Sequence, residues 1–458
     1  MSYKMISSFA SLLFFLFLCR GIALSEQIIV PSPKQSNFED NDIKVGSNSR
    51  LIMPVYFRYR FESAVLEIEN YLKSLDSQEN TIDVVVKILP NRQTKALRYY
   101  EGYTIKISSR EIVITGKDYL GALHGLTFFE ALVRENEGKI KKGKIADWPD
   151  MKVRALHLVI IKGLRPEAMK EQIKLARFGH YNTLIIFIKD NVRFNTMEQL
   201  ASADAWTKEE FLDVVRFARE NGLDVIPEIK LLTHQNKLLK IFYPHLMYNQ
   251  ATYDPQNKDT YDTILPMIDE VIDLINPKAF HIGHDELAGL SPVSSKKWLR
   301  KGEVPLPRHL FLADVQYLHK HLKNRGIKTW MWGDMLIAPK EFPTMLARHL
   351  HGIKGYSSLR GKIPRDIVIC DWHYFDEQSD FPSALSFVKT GHKVLGATWK
   401  KEKTIRNFSR YIINMSPNAE GMIATTWLAS LRGDFNALKK IIQTSANTFW
   451  DTKHRRQL

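Results

Sequence analysis

The spacing of apolar and polar positions changes character near residue 150. Beyond that point, short apolar runs alternate with stretches whose apolar residues recur every three to four positions. The first kind reads as a buried parallel strand and the second as an amphipathic helix. Strands are expected at 153–159, 182–188, 223–229, 278–283, 327–332, 366–371, 393–398 and 421–426. The helix before the third strand shows the punctuation. Thr207 with Glu210 forms a capping box, Phe211, Val214, Val215 and Ala218 share one face, and Gly222 stands where a C-terminal cap belongs. Eight strand–helix units in about 300 residues predict a closed (β/α)8 TIM barrel. An open doubly wound sheet is the competing arrangement. It would usually announce a nucleotide through a Gly-rich first turn, and none follows Val159.

Before residue 150 the pattern is mixed. Residues 31–50 are polar and without periodicity, and read as loop. Helical spacing follows at 61–75, then a β-rich run at 81–89. Tyr103, Ile105 and Ile107 alternate, as does 112–115, with Ser108-Ser109-Arg110-Glu111 as the turn between them. A second helix is expected at 119–134. These pieces make a small α/β domain over 26–149, and Asp147-Trp148-Pro149-Asp150 marks the linker to a barrel domain over 150–458. The first 25 residues read differently. Lys4, an apolar run from Phe9 to Cys19, then Ala23 and Ser25 have the layout of a secretory signal peptide cut after Ser25. An uncleaved anchor is the alternative. The expected location is therefore outside the cell or in the periplasm or envelope, with no stable membrane insertion once the leader is removed.

Composition adds three limits. With 44% hydrophobic residues in 458, the chain can bury a large core. Of two cysteines, Cys19 would leave with the leader, so Cys370 has no partner, and neither a disulfide nor a cysteine metal site is expected. The formal charge of +15 suits contact with anionic polymers such as cell-wall glycans or acidic polysaccharides. Its bases are scattered and form no basic arm, which argues against nucleic acid.

In a parallel barrel the chemistry sits at the carboxyl ends of the strands. Strand two ends at Asp190 and strand three leads to His234; strand four ends at His284-Asp285-Glu286. Strand five ends at Trp332-Gly-Asp334, strand six at Asp371-Trp372-His373-Tyr374, strand seven at Trp399 and strand eight at Trp427. A single tryptophan usually fills core and a single acid usually faces solvent. Gathered on one rim, indoles can stack on the C–H face of a sugar while acids and a histidine bind its hydroxyls. Two neighbouring carboxylates in such a pocket can leave one protonated and ready to donate.

The stretch His281-Ile282-Gly283-His284-Asp285-Glu286-Leu287 resembles the signature of glycoside hydrolase family 20, the β-N-acetylhexosaminidases. The likeness runs through the chain in order. It takes in Tyr119-Leu-Gly-Ala-Leu-His-Gly-Leu-Thr127, Ile145-Ala-Asp-Trp-Pro149 with Arg154, Asn182 to Asp190, Val225-Ile-Pro-Glu228 with His234, and Trp332-Gly-Asp-Met335. The resemblance implies a retaining reaction in which the substrate's own 2-acetamido oxygen attacks the anomeric carbon. It implies that Asp285 orients that group, that Glu286 is the acid and then the base, and that Asp190 and His234 support Glu286. It also implies that Arg154 holds sugar hydroxyls and that Trp332, Trp372 and Trp427 wall the acetamido pocket. Tyr374 is a candidate donor to the acetamido oxygen on chemical grounds, and Trp399 a further substrate contact. The implied partner is an N-acetylhexosamine-containing glycan, with no cofactor and no metal.

Two positions depart from the family pattern. Gly396-Ala-Thr-Trp399-Lys400 stands where a tyrosine and an acid are usual, and Ala429 where a glutamate is usual. His284 replaces a small residue and is expected to alter the pocket lining. These departures motivate a second reading, a carbohydrate-binding barrel without catalysis. A metal-dependent hydrolase using His281, His284 and Asp285 is a third, weakened because the first strand offers only His157.

Overall fold

The computed structural model describes residues 30–453, apart from 79–80, 90–93, 295–297 and 428–433. The leader-like segment and Ala429 lie outside the described residues. No helix among the described residues is long and apolar enough to cross a membrane.

Eight parallel strands close into a barrel: Val153–Val159, Thr183–Phe187, Asp224–Leu231, Ala279–Gly283, Lys328–Trp332, Val368–Trp372, Lys393–Thr398 and Ala419–Thr425. Each falls within a few residues of its expected position. The reason is physical. A strand covered on both faces reads as an unbroken apolar run. Ala155, Ile185, Trp330, Cys370, Leu395 and Ile423 help fill the barrel interior. A larger cluster, with Leu156, Phe211, Ile268, Phe311 and Phe408, seals the outer helices onto the strands. The helix Lys208–Glu220 begins with the expected capping box. One unit breaks the rule. After the fifth strand the described residues form only short 3-10 turns, at Asp334–Leu336, Ala347–His349 and Tyr356–Lys362, where an α-helix would complete the alternation.

The N-terminal unit is a six-stranded mixed sheet in the order Gln35–Lys44, Lys139–Asp147, Tyr103–Ile107, Glu111–Gly116, Asp83–Ile88, Arg50–Ile52. The helices Glu62–Lys73 and Tyr119–Glu135 share its apolar core. The strand Gln35–Lys44 corrects the reading of 31–50 as loop. It pairs antiparallel with Lys139–Asp147, but nearly all its side chains are exposed, so backbone pairing makes the strand with no apolar signal in the sequence.

The two units meet at the amino ends of the barrel strands, and Arg154 belongs to this junction. It is buried and ion-paired with Glu101 of the small domain. It also donates to the carbonyls of His180 and Met151 at 2.8 Å each. The expectation that Arg154 holds sugar hydroxyls is therefore corrected. As second residue of the first strand, it lies at the end of the barrel opposite the rim where the strands finish. Trp450 of the last helix ties the same junction, giving its indole N–H to Asp147 at 2.8 Å.

Candidate active site

The fourth strand ends in a turn that no ordinary strand would make. Gly283, His284 and Glu286 all have positive φ, at 74°, 69° and 50°. For non-glycine residues such a conformation is costly and persists only where surroundings impose it. Two anchors do so here. His284 turns away from the rim and is buried, with Nε2 at 2.8 Å from Asp314. This corrects its expected place in the pocket lining. The backbone N–H of Glu286 donates to Asp334 at 2.9 Å. Between these anchors, the side chains of Asp285 and Glu286 face a cavity of about 900 Å³.

The cavity brings together Asp190, His234, Asp285, Glu286, Trp332, Trp372, Tyr374, Trp399 and Trp427, which is every expected site residue except Arg154. Its wall is aromatic. Trp372 stacks on Tyr374 with ring centres 4.9 Å apart, and Trp427 gives its indole N–H to the Tyr374 hydroxyl at 2.7 Å. Trp332 donates to Glu228 at 3.0 Å. Trp399 lies edge-on to Tyr374, and Lys400 caps its outer face with the ammonium 4.4 Å from the ring centre. The indole thus replaces, as a wall, the tyrosine and acid expected after strand seven.

Sequence reasoning missed several residues of the lining. Trp298, beside His234, comes from an irregular loop without periodicity. His349 and His351 come from the turns after strand five. Asp334 organises this side of the rim, accepting from Glu286 N–H, from His351 at 2.8 Å and from the Trp372 indole at 3.1 Å. Replacing it with alanine strands three donors, each worth about 1–3 kcal/mol when buried. Asp334→Ala is expected to lower both Tm and kcat, measured by thermal melts and steady-state kinetics. A normal kcat would deny it a part in holding Glu286.

The residue with most consequence is Lys230, on the third strand. Strand alternation puts Glu228 and Lys230 on the same face. The ammonium lies 2.8 Å from both oxygens of Asp285 and 3.2 Å from Glu228. Burial opposes charge on Asp285, but Lys230 and His234 outweigh it and hold the carboxyl well below its ordinary range. Glu228 is likewise held down, against burial, by Lys230, His281 and His157. His157 Nε2 closes the chain at 2.6 Å from Glu228.

His234 Nε2 lies 3.3 Å from Asp285. A ring nitrogen of His234 also lies within 4.8 Å of a Glu286 carboxylate oxygen, so the imidazole stands beside both acids. Asp190 lines the same cavity, and its backbone carbonyl accepts from Ser202 at 2.7 Å.

The metal-hydrolase arrangement does not assemble. His284 points to Asp314, and His281 accepts the Gly283 N–H at 3.1 Å. Burial also lowers the His281 pKa to about 4, against the pull of Glu228. His234, Asp285 and Glu286 place ligand atoms within 4.8 Å of one another, but Lys230 already grips Asp285 there. In a second cluster, Asp376 Oδ2 faces the Nδ1 atoms of both His349 and His373 while its Oδ1 accepts the Leu346 N–H, so both oxygens are already engaged.

A (β/α)8 barrel with paired carboxylates and an aromatic wall at the carboxyl rim defines the class of this protein. The family model described as "Glycosyl hydrolase family 20, catalytic domain" matches residues 187–401, and that for "Glycosyl hydrolase family 20, domain 2" matches residues 26–148. The chain belongs to glycosyl hydrolase family 20.

Among relatives, it is 26% identical to beta-hexosaminidase subunit A2 of Dictyostelium discoideum over 56% of this chain and 51% of that protein. It is 21% identical to the lacto-N-biosidase of Bifidobacterium bifidum over 65% of this chain and 28% of that protein. The chain thus spans about half or less of these relatives' length. Among solved structures, the beta-N-acetylhexosaminidase of Bacteroides fragilis superposes with a TM-score of 0.70 at 18% identity, covering 93% of this chain and 91% of that one. The exo beta-N-acetylglucosaminidase of Vibrio harveyi, in complex with N-acetylglucosamine, gives 0.70 at 17% identity, covering 94% and 75%. At these identities the likeness shows the shared fold.

Proposed function

We propose that this chain is a retaining glycosidase that removes β-linked N-acetylhexosamine from glycans, with the substrate's acetamido group as nucleophile. One observation carries the reading: Lys230 grips both oxygens of Asp285 beside Glu286 at the floor of an aromatic cavity. A carboxylate bound in this way is a poor nucleophile toward carbon. It keeps lateral lone pairs, however, and can still accept the amide N–H of a 2-acetamido sugar. The attacking oxygen is then supplied by the acetamido carbonyl, aimed by that hydrogen bond. Glu286 protonates the leaving oxygen and afterwards activates water against the oxazolinium. The indoles of Trp332, Trp372 and Trp427 enclose the acetamido methyl and the sugar face. The names of the relatives support this choice of sugar.

Two finer points belong to the same proposal. The apolar run and small residues before residue 26 support export to the periplasm, envelope or medium. The charge of +15 supports glycans of anionic polymers as the working substrate.

The test is release of an aryl group from its β-N-acetylglucosaminide and β-N-acetylgalactosaminide. An oxazoline-mimicking thiazoline is expected to inhibit this release competitively. Failure of that compound against an active enzyme would remove the substrate-assisted mechanism. An Asp285 carboxylate already paired with Lys230 also suits a barrel that binds the sugar without cleaving it. Inactivity toward both aryl sugars and toward longer N-acetylated oligosaccharides would make that reading the better one.

A further inference from the structure

Lys230 lies where a buried cation is costly, and the local chain is built to admit it. Gly283 gives it room: a Cβ at that position would come within 3.1 Å of Lys230 Cα and 3.2 Å of its Cδ. The lysine stem packs in the floor of the cavity. Its ammonium lies 5.3 Å from the ring centre of Trp332 and 5.1 Å from that of Trp427. Only 9% of the residue is exposed.

The charges around Asp285 show what this cation does. From the third strand face Lys230 and, through it, Glu228; from the following loop, His234. The fourth strand contributes His281 and the neighbouring Glu286, and the sixth Tyr374. His157 of the first strand reaches only Glu228. Without a cation, Glu228 and Asp285 would be two carboxylates sharing a largely buried floor, a situation that protonates one of them. With Lys230 between them, both ionise and the trio carries one net negative charge. That sign suits an oxazolinium.

We propose that Lys230 is a positioning residue for the reaction: it keeps Asp285 ionised and aimed, so that Asp285 accepts the acetamido N–H under acidic conditions as well as neutral ones. This rests on the functional reading above. Burial lowers the affinity of Lys230 for its proton, but Asp285 and Glu228 more than restore it. The clamp therefore persists across the pH range in which carboxylates titrate. A protonated Asp285 would be a donor facing a donor, and the acetamido group would lose its aim.

The experiment is the pH profile of kcat/KM on an aryl β-N-acetylglucosaminide for the wild type, Lys230→Met and Lys230→Arg. The methionine variant is expected to move the acid limb upward by about one pH unit or more, because Asp285 and Glu228 then compete for one proton. The arginine variant keeps a permanent cation and is expected to leave the limb near its wild-type position. An unmoved limb in an active, folded methionine variant would overturn the proposal.

The same variants are melted across the acid range, with Asp285→Asn as reference. Asp285 is depressed in the folded state, so its stabilisation is present above the unfolded pKa and lost as pH falls through the folded one. In Lys230→Met one of the two carboxylates is raised instead, so the sign reverses. The variant is destabilised most near neutral pH, and its Tm deficit against wild type should shrink as pH falls and that carboxylate takes up its proton. This trend should vanish when Asp285→Asn is added. Equal acid sensitivity in wild type and Lys230→Met would overturn the proposal even if the wild type proved inactive. Inactivity of the wild type alone would sink the functional reading and leave this one to be judged by the melts.

Discussion

Glu286→Gln is expected to lower kcat/KM for a 4-nitrophenyl β-N-acetylglucosaminide by about 10²–10⁴-fold, the usual worth of a placed general acid–base group. Glutamine has the same size and keeps a hydrogen-bonding head, so the cavity and the turn at the fourth strand should survive. The turn depends on the Glu286 backbone N–H and on Asp334, and neither is changed. What is lost for the chemistry is the transferable proton of the first step and the carboxylate base of the second. The size of the loss should therefore follow the leaving group. A dinitrophenyl glycoside departs with little protonation, so its first step should be far less impaired than that of the nitrophenyl compound. Water attack on the oxazolinium would then limit turnover, and added azide, which needs no base, should speed it and give a β-glycosyl azide. Equal losses for both leaving groups, with no response to azide, would show that Glu286 is not the proton donor.

The parts of this molecule that the sequence made legible are those where burial and periodicity coincide. All eight barrel strands are covered by helices outside and by one another's side chains inside, so each appears as an apolar run. The rim residues follow from the ends of those runs. Gln35–Lys44 shows the opposite case: its side chains face water, and its pairing with Lys139–Asp147 rests on backbone groups that leave no trace in hydropathy. His349 and His351 were hidden for a related reason, since they sit in turns with no period to extrapolate.

Lys230 was different. Its place two residues after Glu228 on a strand put both on one face, and that alternation alone could have found it. Two opposite charges, Glu228 and Lys230, two residues apart inside a buried strand are the signal. His284 marks the limit of reading along the chain. Adjacent to Asp285, it is turned to Asp314 by a left-handed backbone step, a reversal that depends on partners 30 residues away.

Arg154 separates a residue that binds substrate from one that holds the fold. Arg154→Met is expected to cost about 3–5 kcal/mol, as breaking a buried ion pair on one side does. Glu101 would lose its main partner. Burial raises its pKa, but Arg154 and then His124 outweigh this and bring it to about 2. Because that pKa is depressed in the folded state, the stabilisation is fully present above the unfolded carboxylate pKa and fades only as pH falls toward about 2. The loss of Tm in Arg154→Met should accordingly be large at pH 7. The carbonyls of His180 and Met151 would lose donors as well. Adding Glu101→Gln should recover part of the Tm, since removing the second charge leaves no uncompensated carboxylate in the junction. Kinetics well below the melting temperature distinguish the two roles. A junction residue leaves KM for the aryl N-acetylhexosaminide unchanged. A many-fold rise in KM with an unaltered Tm would instead return Arg154 to the sugar hydroxyls.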